Sequence, residues 1–232
     1  MQYTTRGWIR SCNSNQPNPV QVPVFEDDPT VPLSPYGWSK LMTEVMLRDA
    51  GAAHDLTHVA LRYFNVAGAD PQMRTGLSTP GATHLIKVAV EAALGRRTRI
   101  DVYGTDYPTP DGTCVRDFIH VSDLARAHVS ALAYLRDGGA STTLNCGYGR
   151  GYSVREVLDA VRRTVGHPFA VNFTARRPGD IVVSVAAANR IRELLNWVPE
   201  LDDLDAIVRH ALAWERHLMA QDEPRIRTAI SA

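Results

Sequence analysis

The sequence predicts an α/β protein, and three observations carry that prediction. Short runs rich in Val, Ile, Leu and Phe, such as "HVALRYF" and "VRDFIHV", alternate with longer stretches of helical periodicity. Turn-forming clusters separate them, of which "DYPTPDG" (106–112) is the clearest. No internal repeat and no low-complexity tract interrupts the alternation.

The elements follow in order. Residues 1–33 carry Asn, Pro, Gln and Asp without sustained periodicity and read as an irregular segment. Ser34 then offers an N-cap and Pro35 a first helical position. Beyond them Leu41, Met42, Val45, Met46 and Leu47 make a helix apolar on more than one face, which predicts cover on two sides, by a core and by a second subunit. "LTHVALRYFNVAG" (56–68) reads as a buried strand entering a glycine-containing loop, and "THLIKVAVEAALG" (83–95) as a helix closed by Gly95. "IDVYG" (100–104) is a short strand. "CVRDFIHV" (114–121) is another, after which Ser122 or Asp123 caps the helix "LARAHVSALAYL". "TTLNCG" (142–147) is a strand, and Ser153 with Glu156 forms a capping box ahead of "VREVLDAVRRTV". A strand near "FAVNF", the loop "ARRPGD" (175–180) and helices near 187–195 and 203–218 complete the chain.

Bulk properties narrow the function. A chain of 232 residues buries a sizeable core as one or two domains, and its 44% apolar and 22% charged content is that of an ordinary globular protein. Formal net charge is zero, so no basic footprint points to nucleic acid or to an anionic membrane. The three cysteines, Cys12, Cys114 and Cys146, share no C-x-x-C spacing, which argues against a zinc site or a disulfide framework and fits a reducing cytoplasm. The start of the chain has no apolar run of the signal-peptide kind, and no stretch approaches 18 uninterrupted apolar residues. No metal site is expected, and His84 and His120 read as hydrogen-bonded structural residues.

Two short stretches carry candidate chemistry. "CGYGRGYS" (146–153) lies between a strand and a helix, but its spacing is G-x-G-x-G rather than G-x-G-x-x-G, so it reads as a tight turn. "SPYGWSKLMTE" (34–44) places Tyr36 four residues before Lys40, one of only two lysines among 25 basic residues. With eight tyrosines in 232 positions, chance supplies such a pair at a level of roughly 7%, so the spacing alone leaves two readings open. One is a surface tyrosine beside a solvated lysine. The other is a base and its tuner: i and i+4 share a helix face, and a nearby ammonium favours phenolate over a phenol whose free pKa is ~10.

Further along, "LRYFNVAGADP" (61–71), "YPTPDGTCVRDFIHVSDLARAH" (107–128), "LNCGYGRGYSV" (144–154) and "ARRPGD" (175–180) follow one another. With the Tyr-Lys segment, and in this order and spacing, they resemble the UDP-glucose 4-epimerase family of the extended short-chain dehydrogenase/reductase superfamily. The resemblance runs from about residue 20 to residue 218. It implies the C-terminal part of an extended Rossmann-type fold, interleaved over 34–232 with a smaller nucleotide-sugar-binding α/β region. It also implies NAD-dependent interconversion of UDP-glucose and UDP-galactose through a 4-keto sugar. Tyr36 would take the proton of the sugar 4-hydroxyl while NAD takes the hydride, with Lys40 holding the nicotinamide ribose and Tyr63 at the nicotinamide side. Asn65 would contact substrate, Arg116, Arg177 and Asp180 would hold the UDP diphosphate and ribose, and Leu85 and Tyr103 would line the uracil end. Without the resemblance, Arg116–Asp117 and "RRPGD" read as loop ion pairs. A homodimer and a cytoplasmic location belong to the same expectation.

The chain also departs from the family's pattern. No G-x-G-x-x-G precedes Tyr36, and the Tyr-Lys pair arrives at residue 36, too early to leave room for the family's first βαβαβ half. Ser11 stands at the distance (36 − 11 = 25) where the family carries a catalytic Ser or Thr, but its flanks lack the expected strand and turn. Residues 1 to about 19 read as foreign to the family's frame. The expectation is therefore a truncated chain of epimerase descent, impaired by itself. The alternatives are another nucleotide-sugar dehydratase or epimerase of the superfamily, or a non-catalytic UDP-sugar-binding fragment.

Overall fold

The computed structural model describes residues 22–32 and 34–230, with side chains through residue 221. Ser11 and the rest of 1–21 lie outside the described residues. In order the elements are α1 (Pro35–His54), β1 (Val59–Tyr63), β2 (Asn65–Ala67), α2 (Leu85–Ala93), β3 (Ile100–Tyr103), β4 (Val115–His120) and α3 (Val121–Arg136). They continue with β5 (Thr142–Cys146), β6 (Gly151–Ser153), α4 (Val154–Val165), β7 (Val171–Thr174), β8 (Val183–Ser184), α5 (Asn189–Leu195) and α6 (Leu204–Ile230).

Three groups of strands form, mostly by parallel pairing across long connections. β1 pairs β5 from Val59↔Thr142 to Tyr63↔Cys146. β2 pairs β4 from Asn65↔Phe118 to Ala67↔His120, and β4 also takes β6 antiparallel and β8 parallel. β3 pairs β7 from Ile100↔Val171 to Tyr103↔Thr174. Parallel pairs need both faces covered, and the helices supply the cover. α2 buries Ile86, Ala89, Val90 and Ala93, a stripe at i, i+3, i+4 and i+7. α4 buries Val157, Leu158, Ala160 and Val161, and α6 adds Ile207, Val208 and Leu212. These three helices pack on one another, and with Leu61, Ile119, Leu144 and Ile191 they make one continuous core. Each Val, Leu or Ile among them stabilises the fold by about 1.5–3 kcal/mol on full burial. No helix of the described residues is long and apolar enough to cross a membrane.

The helix starts are local chemistry. Ser34 Oγ accepts from Gly37 N at 3.1 Å with Pro35 at the first position of α1. Ser153 and Glu156 close the capping box of α4, and Gly166 ends it in the left-handed region at φ +80°. The start of α3 departs from expectation. Its cap is His120, whose ring nitrogen accepts from Ser122 N at 3.0 Å, and neither Ser122 nor Asp123 plays that part. Asp123 is instead fully buried. It accepts from Glu200 N (3.1 Å), Leu201 N (3.0 Å), the Tyr148 hydroxyl and Arg126. A carboxylate so occupied is not free to cap.

The expectation that a core covers α1 is corrected. Only Gly37 of this helix is buried, while Trp38, Met42 and Met46 are exposed, Met46 to 68%. The core is closed by the other helices and takes no residue from α1. Its attachment is polar: Glu44 receives both Arg62 Nε (3.0 Å) and Nη2 (2.7 Å), and Arg62 Nη1 donates to the Glu26 carbonyl at 2.8 Å.

Candidate functional site

The N-terminal turn of α1 carries the Tyr-Lys pair. Lys40 Nζ lies 5.2 Å from the centroid of the Tyr36 ring, within the range at which an ammonium is attracted to an aromatic face. The Tyr36 side is open, 42% exposed. The bidentate Arg62–Glu44 pair, with each side chain 12% exposed, fixes the helix against β1. Asn145 on neighbouring β5 joins the same knot through Glu26 Oε1 (2.8 Å) and the Val24 carbonyl (2.9 Å).

β1 and β2 deliver the next two residues. Tyr63 and Asn65 flank Phe64, which is buried in the core, so strand alternation turns both outward on the other side. They line a cavity of about 490 Å³ that also takes His84 and Leu85 from the start of α2. Leu85, read from the sequence together with Tyr103, thus sits with Tyr63 and Asn65. The cavity is also lined by residues that the sequence did not point to: Lys87, Trp214 and Glu215. Lys87 is bonded to the buried Glu215 and lies 3.3 Å from Glu91, and Arg96 reaches Glu215 at 2.9 Å. The only available signal was that Lys87 is the other lysine.

A second cluster forms where β3, β4 and the 175–180 loop meet. Arg177 donates to Asp180 Oδ1 from Nε (3.2 Å) and Nη2 (2.8 Å), and its guanidinium carbon lies 4.9 Å over the Tyr103 ring. The bond to Asp180 holds the Arg177 pKa above its ordinary value. Arg116 on β4 donates to the Val115 carbonyl at 2.8 Å and to Val182 at 3.4 Å, which brings it to the foot of the same loop. The structure therefore brings Tyr103, Arg177 and Asp180 into contact, with Arg116 reaching the segment that follows them at Val182. The forks of both arginines suit a diphosphate, and the carboxylate suits ribose hydroxyls.

The glycine-rich 147–151 loop serves an internal anion. Asp117, next to Arg116 and fully buried, accepts from Tyr148 N (3.0 Å), Gly149 N (2.9 Å) and Ala186 N (3.2 Å). A Cβ at Gly147 would lie 2.6 Å from Asp117 Oδ2, and Gly149 turns at φ +78°. The turn wraps a side chain, which occupies the Tyr148 and Gly149 amides. Burial pushes the Asp117 carboxyl up to about 6 against the pull of those three amides.

Comparison with known proteins decides the family. The NAD dependent epimerase/dehydratase family matches residues 11–147, more than half of the chain. The chain belongs to that family. A UDP-glucose 4-epimerase of Azospirillum brasilense is 64% identical over 200 residues, covering 86% of this chain and 58% of the relative. One of Streptomyces lividans is 49% identical over 196 residues, with 84% and 58% covered. Among solved structures, the UDP-glucose 4-epimerase of Stenotrophomonas maltophila with NAD and formylated UDP-arabinopyranose superposes with a TM-score of 0.87 at 38% identity. That match covers 93% of this chain and 64% of that one. The enzyme of Bifidobacterium longum in complex with NAD+ and UDP gives 0.85 at 38% identity, with 91% and 64% covered. This epimerase-family chain thus has the Rossmann-type α/β fold of its relatives and spans about 60% of their length.

Proposed function

We propose that this chain carries the base and the sugar-nucleotide grip of an enzyme that interconverts UDP-glucose and UDP-galactose through a 4-keto intermediate. The observation that carries the reading is the 64% identity with a UDP-glucose 4-epimerase over 200 residues. The geometry supports it at both ends. Tyr36, with the Lys40 ammonium on its ring face, takes the proton of the sugar 4-hydroxyl and later returns it. Asn65 holds the sugar. Arg116 and Arg177 hold the diphosphate, Asp180 the ribose and Tyr103 the uracil end, while Leu85 lines the cavity beside Asn65. Bound NAD supplies hydride acceptance and return at the sugar C4.

The fit to NAD is confined to the nicotinamide end, where Lys40, Tyr36 and Tyr63 are available. These 232 residues contain no G-x-G-x-x-G to cradle a pyrophosphate, and the Tyr36 ring stands open to solvent. Turnover by this chain alone is accordingly weak. A UDP-galactose assay with added NAD, run beside calorimetry with UDP, tests both parts. UDP binding with turnover far below ~1 s⁻¹ is expected. Ordinary rates would overturn the impairment, and absence of UDP binding would sink the whole reading. The open Tyr36 ring also favours a second reading, a non-catalytic UDP-sugar binder. That reading holds if UDP binds, no turnover is detectable, and Tyr36→Phe leaves UDP binding unchanged. The exposed Trp38, Met42 and Met46 support a homodimer through α1, and the buried, unpaired Cys114 and Cys146 support a cytoplasmic location.

A further inference from the structure

We infer that Arg176 is a positioning residue that latches the 175–180 loop onto the turn after β3, so that Arg177 and Asp180 are held ready for a nucleoside diphosphate. The inference rests on the proposed nucleotide reading of Arg177 and Asp180. Two consecutive arginines have parallel surroundings. Arg177 stacks on Tyr103 and bonds Asp180. Arg176 stacks on Tyr107, its guanidinium carbon 4.4 Å from the ring centroid, and its Nε donates to Asp106 Oδ1 at 2.8 Å while Nη2 donates to the Asp106 carbonyl.

The two pairs differ in what they join. The Arg177–Asp180 pair lies within one loop, three residues apart, and fixes only the shape of that loop. Arg176 and Asp106 are 70 residues apart and tie the loop to a different part of the chain. The anchor is firm on one side only. Tyr107 is 6% exposed, and its turn is closed by Tyr107 N to the Gly112 carbonyl at 3.0 Å. Gly104 makes room for the stack. With φ +79°, a Cβ there would overlap the Tyr107 ring and lie 2.9 Å from Arg176 Cγ. The loop side is at the surface, with Arg177 59% exposed.

Binding a diphosphate requires Arg177 to exchange Asp180 for phosphate oxygens, which dissolves the pair that shapes the loop. Arg176 and its Tyr107 platform are untouched by that exchange and keep the loop in place through it. A loop held in its bound position loses less freedom on binding, which raises affinity without touching the chemical step. Lysine is not equivalent here. It offers an ammonium but neither the planar stack nor the fork that reaches both the Asp106 carboxylate and its carbonyl.

Hydrogen exchange of the free protein and UDP calorimetry test the latch on Arg176→Ala, Arg176→Lys and Tyr107→Phe. Arg176→Ala is expected to speed exchange of peptides covering 175–181 and to weaken UDP binding roughly tenfold, with any measurable kcat unchanged and KM raised. Arg176→Lys should recover neither, and Tyr107→Phe, which keeps the ring, should behave as wild type. Unchanged exchange in both Arg176 variants overturns the latch. Faster exchange with undiminished UDP affinity overturns the positioning role. If the wild-type chain binds no UDP, the nucleotide reading and the positioning role fall together, while exchange still decides whether Arg176 fastens the loop.

Discussion

The hydroxyl of Tyr36 sits one helical turn ahead of an ammonium that lies on its own ring face, so the residue is provided with a cation whatever else approaches it. On the proposed reading, Tyr36→Phe removes the proton acceptor and leaves the Tyr103, Arg177 and Asp180 cluster untouched. Turnover should fall at least ~100-fold and the UDP dissociation constant should stay within about twofold, read by steady-state assay and calorimetry on the same preparation. His120 makes a different statement, about pH. Its Nδ1 accepts from Ser122 N, so the ring proton lies on Nε2 and donates to His210 Nδ1 at 2.9 Å. Burial, the neighbouring His210 and Arg126 lower its pKa to about 4, with Asp70 pulling weakly the other way. The unfolded chain therefore takes up this proton first, and stability is lost as pH falls from about 6.5 to about 4. Asp117 opposes it: a folded pKa of about 6, above the ordinary 3.8, means stability gained as pH falls through the same range. His120→Asn keeps a capping side chain and removes the titration. Its urea midpoint should fall less between pH 7 and pH 5 than that of the wild type. Equal falls would show that His120 does not carry the acid sensitivity.

At the scale of elements, the joint between α2 and α6 shows how charge can hold a core together. Lys87 and Glu215 are 128 residues apart and nearly excluded from water, with Glu91 and Arg96 completing the set. Removing the lysine alone leaves Glu215 with Arg96 and Glu91 with Arg97, so both carboxylates stay partly compensated. Lys87→Met should cost about 1–3 kcal/mol by denaturant titration, and Arg96→Met added to it, which strips Glu215 of both cations, should cost clearly more. A helix signal and a lone lysine were visible in "THLIKVAVEAALG", but its partner was not, because many glutamates in the chain could have met it. The caps show the opposite case. Ser34 with Pro35, and Ser153 with Glu156, were legible because each cap is settled within four residues. The cap of α3 was not, because Asp123 had been drawn to Glu200, Leu201 and Tyr148 by tertiary packing.

For the whole molecule, α1 is the element out of balance. Trp38, Met42 and Met46 recur every four residues on one exposed face, in a helix that the Arg62–Glu44 knot ties to β1. If a second copy covers that face, Met42→Glu combined with Met46→Glu should shift the molar mass from dimer to monomer in light scattering. The stability of the core should change little, since neither side chain belongs to it. A wild-type protein that is already monomeric at micromolar concentration would remove α1 as a dimer surface.

The sequence by itself determined the α/β class, nearly all of the elements, the two readable caps, and the shared face of Tyr36 and Lys40. Backbone sterics, side-chain period and one-turn hydrogen bonds fix these over a few residues. Only the tertiary structure decided that Arg116 reaches Val182, that Arg176 reaches Asp106, and that the glycines of 147–149 enclose Asp117. It also decided that α1 stands outside the core. Sequence shows that a charge needs a partner or that an apolar face needs a cover. Which partner or cover it meets depends on the strand pairings that bring distant residues together.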